Sequence, residues 1–191
     1  NPNLEVLRCE VCALIQLSDF SHIDKAYYSS DQYVGDVLRI NSLDSISAAS
    51  ERECEWNKKR VHIISEYVPQ AGEYTVLDYG AGHGGFVKEA KGRFKEVIPF
   101  DVSKTYRRYY DLNGWRSVSS LGDLDLKIDM VVLFHVLEHL KEPWSVLSQI
   151  LTLLESVKFV VLEVPNTEEA LNSLLKSVDY KQVHYSSDHL Y

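Results

Sequence analysis

Thr75-Val76-Leu77-Asp78-Tyr79-Gly80-Ala81-Gly82-His83-Gly84-Gly85 is the stretch that decides the fold. Three residues with strand character run into a carboxylate and then into a glycine cluster. Phe86, Val87, Ala90 and Phe94 follow at helical spacing. This is the pattern of a strand, a tight turn and a helix. The turn satisfies both G-x-G-x-G and G-x-G-x-x-G. Glycine permits positive φ and leaves no side chain where a ligand must approach backbone. A tight turn without any ligand has the same composition, so the pattern alone is weak. Here the strand before it and the helix after it are both present, which favours a binding loop.

Strand and helix alternate five times from Thr75 onward. Val97-Ile98-Pro99-Phe100 is a second strand ending at Asp101, with a proline that is unfavourable at its centre. Ser103 caps a helix with Tyr106, Tyr109 and Tyr110 on its face, and Gly114 stops it. Trp115 to Ser119 is a weak third strand. Met130 to Phe134 is a fourth, and its unbroken apolarity predicts burial on both faces. Pro143 begins a helix with Leu147, Ile150, Leu151 and Leu154 on one side. Phe159 to Leu162 is a fifth strand. Asn166 or Thr167 then caps a helix with Glu168 and Glu169 in its first turn and Leu171, Leu174, Leu175 and Val178 inside. Such alternation predicts an α/β fold, a Rossmann-like, doubly wound and mostly parallel sheet with helices on both faces. Ligands in such sheets bind beyond the carboxyl ends of the strands, where strand order reverses.

Upstream of Thr75, residues 51–68 read as a helix with Trp56, Ile63, Ile64 and Tyr67 on one face and Pro69 after its end. The Ser-rich stretch Asp36 to Ser50 reads as loop or weak helix. The expected division is a lead-in over residues 1–50 and a Rossmann-like domain over 51–191. The bulk numbers fit one domain: 191 residues, 45% hydrophobic, net charge −8. The absence of a basic block argues against a nucleic-acid partner. No apolar run reaches the roughly 18 residues of a membrane helix. Three cysteines do not suggest a disulfide scaffold. The expectation is a cytoplasmic protein without a membrane partner.

A dinucleotide would set its pyrophosphate over the helix start, beside the anion of Asp78. S-adenosylmethionine has an ammonium and a sulfonium and no phosphate, and Asp78 suits those cations. Asp78 could equally cap nearby backbone N–H groups. Asp101, at the end of the second strand, can accept hydrogen bonds from both ribose hydroxyls, which does not separate S-adenosylmethionine from NAD.

With these motifs stated, a resemblance appears. Val76 to Gly84 resembles the first motif of class I S-adenosylmethionine-dependent methyltransferases, and Asp101 matches the acidic residue of their second. Asp129-Met130-Val131-Val132-Leu133-Phe134-His135-Val136-Leu137-Glu138-His139 looks like their fourth-strand motif in its small-molecule form. The resemblance covers roughly Ser50 to Asn166. It implies S-adenosylmethionine as cofactor, bound by Asp78, Tyr79, Gly80, Ala81, Gly82, Gly84, Asp101, Val102, Phe134 and His135. His135, at the tip of the fourth strand, is the catalytic candidate, as general base or as orienting residue. The partner implied is a small-molecule methyl acceptor. Cys9-Glu10-Val11-Cys12, with Tyr27-Tyr28-Ser29-Ser30, is similar to the zinc-binding lead-in of the deoxysugar C-methyltransferase group, which makes a sugar nucleotide the first acceptor and a small phenol the second. Only one of that group's two cysteine pairs is present. Related ubiquinone-type enzymes place a metal-binding acid–acid–His set at the fourth-strand tip, where this chain has His135 in place of the first acid. On both counts no metal is expected.

Two rival readings fit the same residues: a sensor or assembly module that binds S-adenosylmethionine without turnover, and an NAD-dependent oxidoreductase. His135-Val136-Leu137-Glu138-His139 also fits the H-x-x-E-H zinc-protease pattern, but that mechanism needs both histidines on one helix, and Pro143 follows too closely. For Glu138 and His139 the expectation is hydrogen bonding to the loop before Pro143. The resembled family has two further strands after the fifth. The sheet is therefore expected to be truncated at the C-terminus, with His184 and His189 as candidates for the acceptor pocket.

Overall fold

The computed structural model describes residues 5–23, 26–31, 33–166 and 189. Strands β1 (Val6–Arg8) and β2 (Ile15–Leu17) form an antiparallel hairpin. Helix α1 (Ala26–Ser29) and a π-helical turn, Tyr33–Val37, follow. Next come α2 (Leu43–Arg52), α3 (Cys54–Tyr67), β3 (Thr75–Tyr79) and α4 (Gly85–Ala90). The rest alternates: β4 (Glu96–Phe100), α5 (Lys104–Leu112), β5 (Met130–Phe134), α6 (Pro143–Leu153) and β6 (Phe159–Glu163).

Strands β3 to β6 form a parallel sheet in the order β4-β3-β5-β6. Chain order reverses beside β3, because β4 lies on one side of it and β5 on the other. That reversal sets the crevice at the carboxyl ends of β3 and β5. The sheet carries a core on each face. Val76, Met130 and Val132 pack with Val61, Ile64 and Phe86 on one side, and Leu77, Val131 and Leu133 with Ile98 and Ile150 on the other. Each fully buried Val or Leu here contributes about 1.5–3 kcal/mol of transfer free energy. Pro99 is tolerated because β4 is the outer strand of the four. The fold class read from the alternating pattern is the one observed.

Several local expectations change. Helix α3 buries Asn57, Val61 and Ile64, while Trp56 is 65% and Tyr67 76% exposed, and Ile63 is exposed as well. At 100° per residue the buried stripe is rotated about 100° from the stripe of large apolar residues. The large side chains face solvent because Asn57 and Arg60 are needed inward. Leu151 of α6 is likewise exposed. Trp115 to Ser119 is not a strand and contributes one bridge, Phe100 with Val118.

The Ser-rich stretch contains most of α2. Ser42 is its N-cap and exchanges hydrogen bonds with Ser45, and Ile46, Ala49 and Ser50 form its buried face. Serine favours cap positions, and two of the serines here are used that way. The boundary expected at residue 50 falls within this helix. Helix α5 follows expectation, with Ser103 as cap and Tyr106, Tyr109 and Tyr110 buried. The helix expected over Leu171 to Val178, and His184, lie outside the described residues. Among the described residues no helix is long and apolar enough to cross a membrane.

Candidate functional site

A cavity of about 900 Å³ opens at the carboxyl ends of β3, β4 and β5. Asp78, Tyr79, Gly80, Ala81 and Gly82 line it from the first loop. Asp101 and Val102 line it from the end of β4, and Phe134 and His135 from the end of β5. Gly84, expected at the cofactor, does not line the cavity. Its φ is +70°, and a Cβ there would lie 2.4 Å from a ring carbon of Trp115. Gly84 is a packing glycine. Gly82 also has positive φ, +54°, but a Cβ would meet nothing within 4 Å.

Asp101 ties the site together. Its Oδ2 accepts from the Gly82 N–H at 2.9 Å and its Oδ1 from the Ser103 N–H at 2.8 Å. The glycine loop and the start of α5 are therefore fixed by one carboxylate. The Gly80 and Ala81 N–H groups both donate to the Phe100 carbonyl, at 2.8 and 3.0 Å, and the Tyr110 hydroxyl donates to the Gly82 carbonyl. A carboxylate oxygen accepts more than one hydrogen bond, so this arrangement leaves Asp101 acceptor capacity.

Asp78 is 3% exposed, and among the described residues no donor reaches its carboxylate. It therefore does not cap nearby N–H groups. Burial pushes its carboxyl up to about 7, against the pull of Arg60. A buried acid without a donor is costly as an anion. A cationic ligand relieves that cost.

Helix α3 and the residue before it supply a polar wall that the sequence reading missed. Glu53, Asn57 and Arg60 line the cavity one above the other. Arg60 donates from Nη1 to the Asn57 amide oxygen at 2.8 Å and from Nε to Glu163 at 3.0 Å, and lies over the Phe134 ring at 4.6 Å. His83 Nε2 lies 3.2 Å from Glu53, whose carboxyl this contact holds low. The available signal was the spacing i, i+4, i+7 of Glu53, Asn57 and Arg60, a polar stripe beside an apolar one.

His135 follows β5 with φ at +56°. Its Nδ1 is 3.1 Å from Glu138 Oε1 and its Nε2 is 3.0 Å from Glu163 Oε1. The hydrogen bond to Glu138, then that to Glu163, raises its pKa to about 9. Burial opposes ionisation of Glu163, but His135 and Arg60 outweigh it and hold that carboxyl near 2. At neutral pH His135 is thus a cation held between two carboxyl groups, which suits orientation better than proton abstraction.

Glu138 does not serve the loop before Pro143. Glu138 is buried against His135, and the Tyr28 hydroxyl is 3.3 Å from His139 Nδ1. Leu137–His139 is a single 3₁₀ turn, so the two histidines lack the helix a zinc protease needs. The lead-in forms part of the cavity wall through Tyr28, Tyr33 and Ile40, and Ser103 donates its hydroxyl hydrogen to Asp31. Cys9 and Cys12 sit exposed between β1 and β2, and backbone N–H groups of Cys12 and Val11 lower the Cys9 thiol pKa.

Comparison with known proteins fits this architecture. A family model described as a methyltransferase domain matches residues 48–190. No curated protein is similar enough to this chain to count as a match. Among solved structures, a SAM dependent methyltransferase from Archaeoglobus fulgidus is 28% identical with a TM-score of 0.46. The alignment covers 62% of this chain and 57% of that one, so this chain spans little more than half of that relative's length. Magnesium protoporphyrin IX methyltransferase from Synechocystis PCC 6803, solved with bound SAH, is 15% identical with a TM-score of 0.51, covering 83% and 79%. The plantazolicin methyltransferase BpumL, in complex with SAH, is 14% identical with a TM-score of 0.57, covering 86% and 68%. At such identities these last two establish a shared fold.

Proposed function

This chain belongs to the methyltransferase domain family, and from that premise we propose that it transfers a methyl group from S-adenosylmethionine to a small-molecule acceptor, a sugar nucleotide first. The observation that carries the cofactor is the pair Asp78 and Asp101 in one cavity. Asp78 offers a buried, donorless carboxylate to a ligand cation, and a pyrophosphate there would face an anion. Asp101, fixed by two backbone donors, presents its remaining lone pairs to vicinal hydroxyls. When bound, the cofactor supplies an electrophilic methyl on its sulfonium.

The chain's own residues then hold and orient. Gly82 lets the loop backbone approach the ligand. Tyr28 and Tyr33 cover the cavity from the lead-in and help to keep water out. His135, pinned at both nitrogens, positions the acceptor as a cation, and proximity supplies most of the acceleration. The base role leaves His135 with a proton to lose first, so orientation is the role favoured. The lead-in hairpin with Cys9 and Cys12 is what favours a sugar acceptor, and Arg52 and Lys141 at the cavity suit its phosphates. The rings of Tyr28, Tyr33 and His139 favour a phenol as second choice. Family membership weighs against a module that only binds.

The test is mass spectrometry of a panel of sugar nucleotides and phenols incubated with the protein and S-adenosylmethionine. The expected result is a mass gain on one acceptor class equal to a methyl group replacing a hydrogen. Cofactor binding with no methylated product on a broad panel would favour the non-catalytic module instead.

A further inference from the structure

Glu138, His139 and His189 each offer a ligating atom, and the three atoms lie within 4.8 Å of one another. Two imidazoles and a carboxylate are a donor set that holds zinc and related divalent transition metals. Glu138 supplies a second, independent observation. It is 2% exposed, its Oε1 is 3.1 Å from His135 Nδ1, and its Oε2 is buried without a hydrogen-bond partner. An orphan oxygen on a buried carboxylate carries an uncompensated desolvation cost. A cation beside it removes that cost. The rings of His139 and His189 meet edge-on with centroids 4.9 Å apart. That ring contact alone can bring the two histidines together, but it leaves Glu138 Oε2 unexplained.

We propose that Glu138, His139 and His189 bind one divalent transition-metal ion at the wall of the cavity. Glu138 then has two partners, His135 through Oε1 and the metal through Oε2. Tyr28, 3.3 Å from His139 Nδ1, makes the kind of outer contact that orients a ligating imidazole. Three protein ligands leave coordination positions for an oxygen of a small molecule, and His139 lines the cavity where one would enter. The expectation of no metal rested on the incomplete cysteine set and on His135 in place of a first acid. Cys9 and Cys12 are not part of this cluster, and His135 meets it only through Glu138 Oε1. The proposal does not rest on methyl transfer, because metal binding is read without cofactor or acceptor.

The test uses the full chain with Cys9→Ser and Cys12→Ser, which removes the exposed pair of competing thiols. Zinc and manganese are titrated separately by calorimetry, and melting is followed with and without each ion. One equivalent of zinc or manganese should bind and raise the melting temperature. His189→Ala and Glu138→Gln in the same background should each weaken binding at least tenfold. His189→Ala keeps the proposal testable if Glu138→Gln fails to fold. Absence of binding by both ions, or binding that His189→Ala leaves unchanged, overturns it.

Discussion

Replacing Gly84 and Gly82 separately by alanine asks whether the glycines of one loop do different work. At Gly84, φ of +70° costs an alanine about 1–2 kcal/mol. The new methyl would also lie 2.4 Å and 3.1 Å from two ring carbons of Trp115. Trp115 cannot simply swing away, since its ring stacks on Tyr110 at 6.0 Å and meets Tyr109 edge-on at 5.8 Å. Overpacking of that kind costs about 1–3 kcal/mol. The sum, about 2–5 kcal/mol, lowers the melting temperature by about 4–20 °C in a chain of this size. Gly82→Ala carries only the backbone cost of about 1–2 kcal/mol, because no protein atom lies within 4 Å of the new Cβ. Its main effect should be weaker binding of S-adenosylhomocysteine. Scanning calorimetry and ligand titration on both variants read the two effects. Equal destabilisation by both, or full ligand affinity in Gly82→Ala, would refute the division of labour.

Other predictions follow from the site. Asp78→Asn relieves the burial that raises this carboxyl to about 7. At pH 8 the ligand-free variant should melt at or above the wild type while losing cofactor affinity, and a lower melting point with intact affinity would contradict this. His135, raised from 6.5 to about 9, contributes stability fully below pH 6.5 and loses it as pH rises through 9. Glu163, lowered from 4.5 to about 2, contributes fully above pH 4.5 and loses it as pH falls through 2. The stability gap between wild type and His135→Gln should therefore be widest between pH 4.5 and 6.5, and a gap that stays flat into strongly alkaline solution would exclude the ion pairs. On α3, Ile64→Ala should cost about 2–5 kcal/mol and Ile63→Ala no more than about 0.5 kcal/mol in urea unfolding.

The fold was legible because its period changes are sharp. The run Met130 to Phe134 reads as a strand buried on both faces, and Ser103 with three tyrosines at helical spacing reads as a capped helix. Residues at strand ends were equally readable, since topology alone sends Asp78, Asp101 and His135 to one crevice. The face of α3 was not readable. Trp56, Ile63 and Tyr67 have the stronger apolar signal, but Arg60 reaches Glu163 far along the chain and is braced by Asn57, and tertiary contacts decide the rotation. Gly84 misled for a related reason: its partner, Trp115, lies beyond the next strand and helix, and local pattern gives no sign of it. The role of Tyr28 and Tyr33 depends on how the lead-in packs at the cavity, which no periodicity encodes.

Calorimetric titration with S-adenosylhomocysteine tests the central claim most directly. The account predicts saturable one-to-one binding that weakens by roughly 2–3 kcal/mol in Asp101→Ala, the worth of the charge-assisted hydrogen bonds lost, with no heat from NAD. Saturable binding of NAD and none of S-adenosylhomocysteine would contradict it.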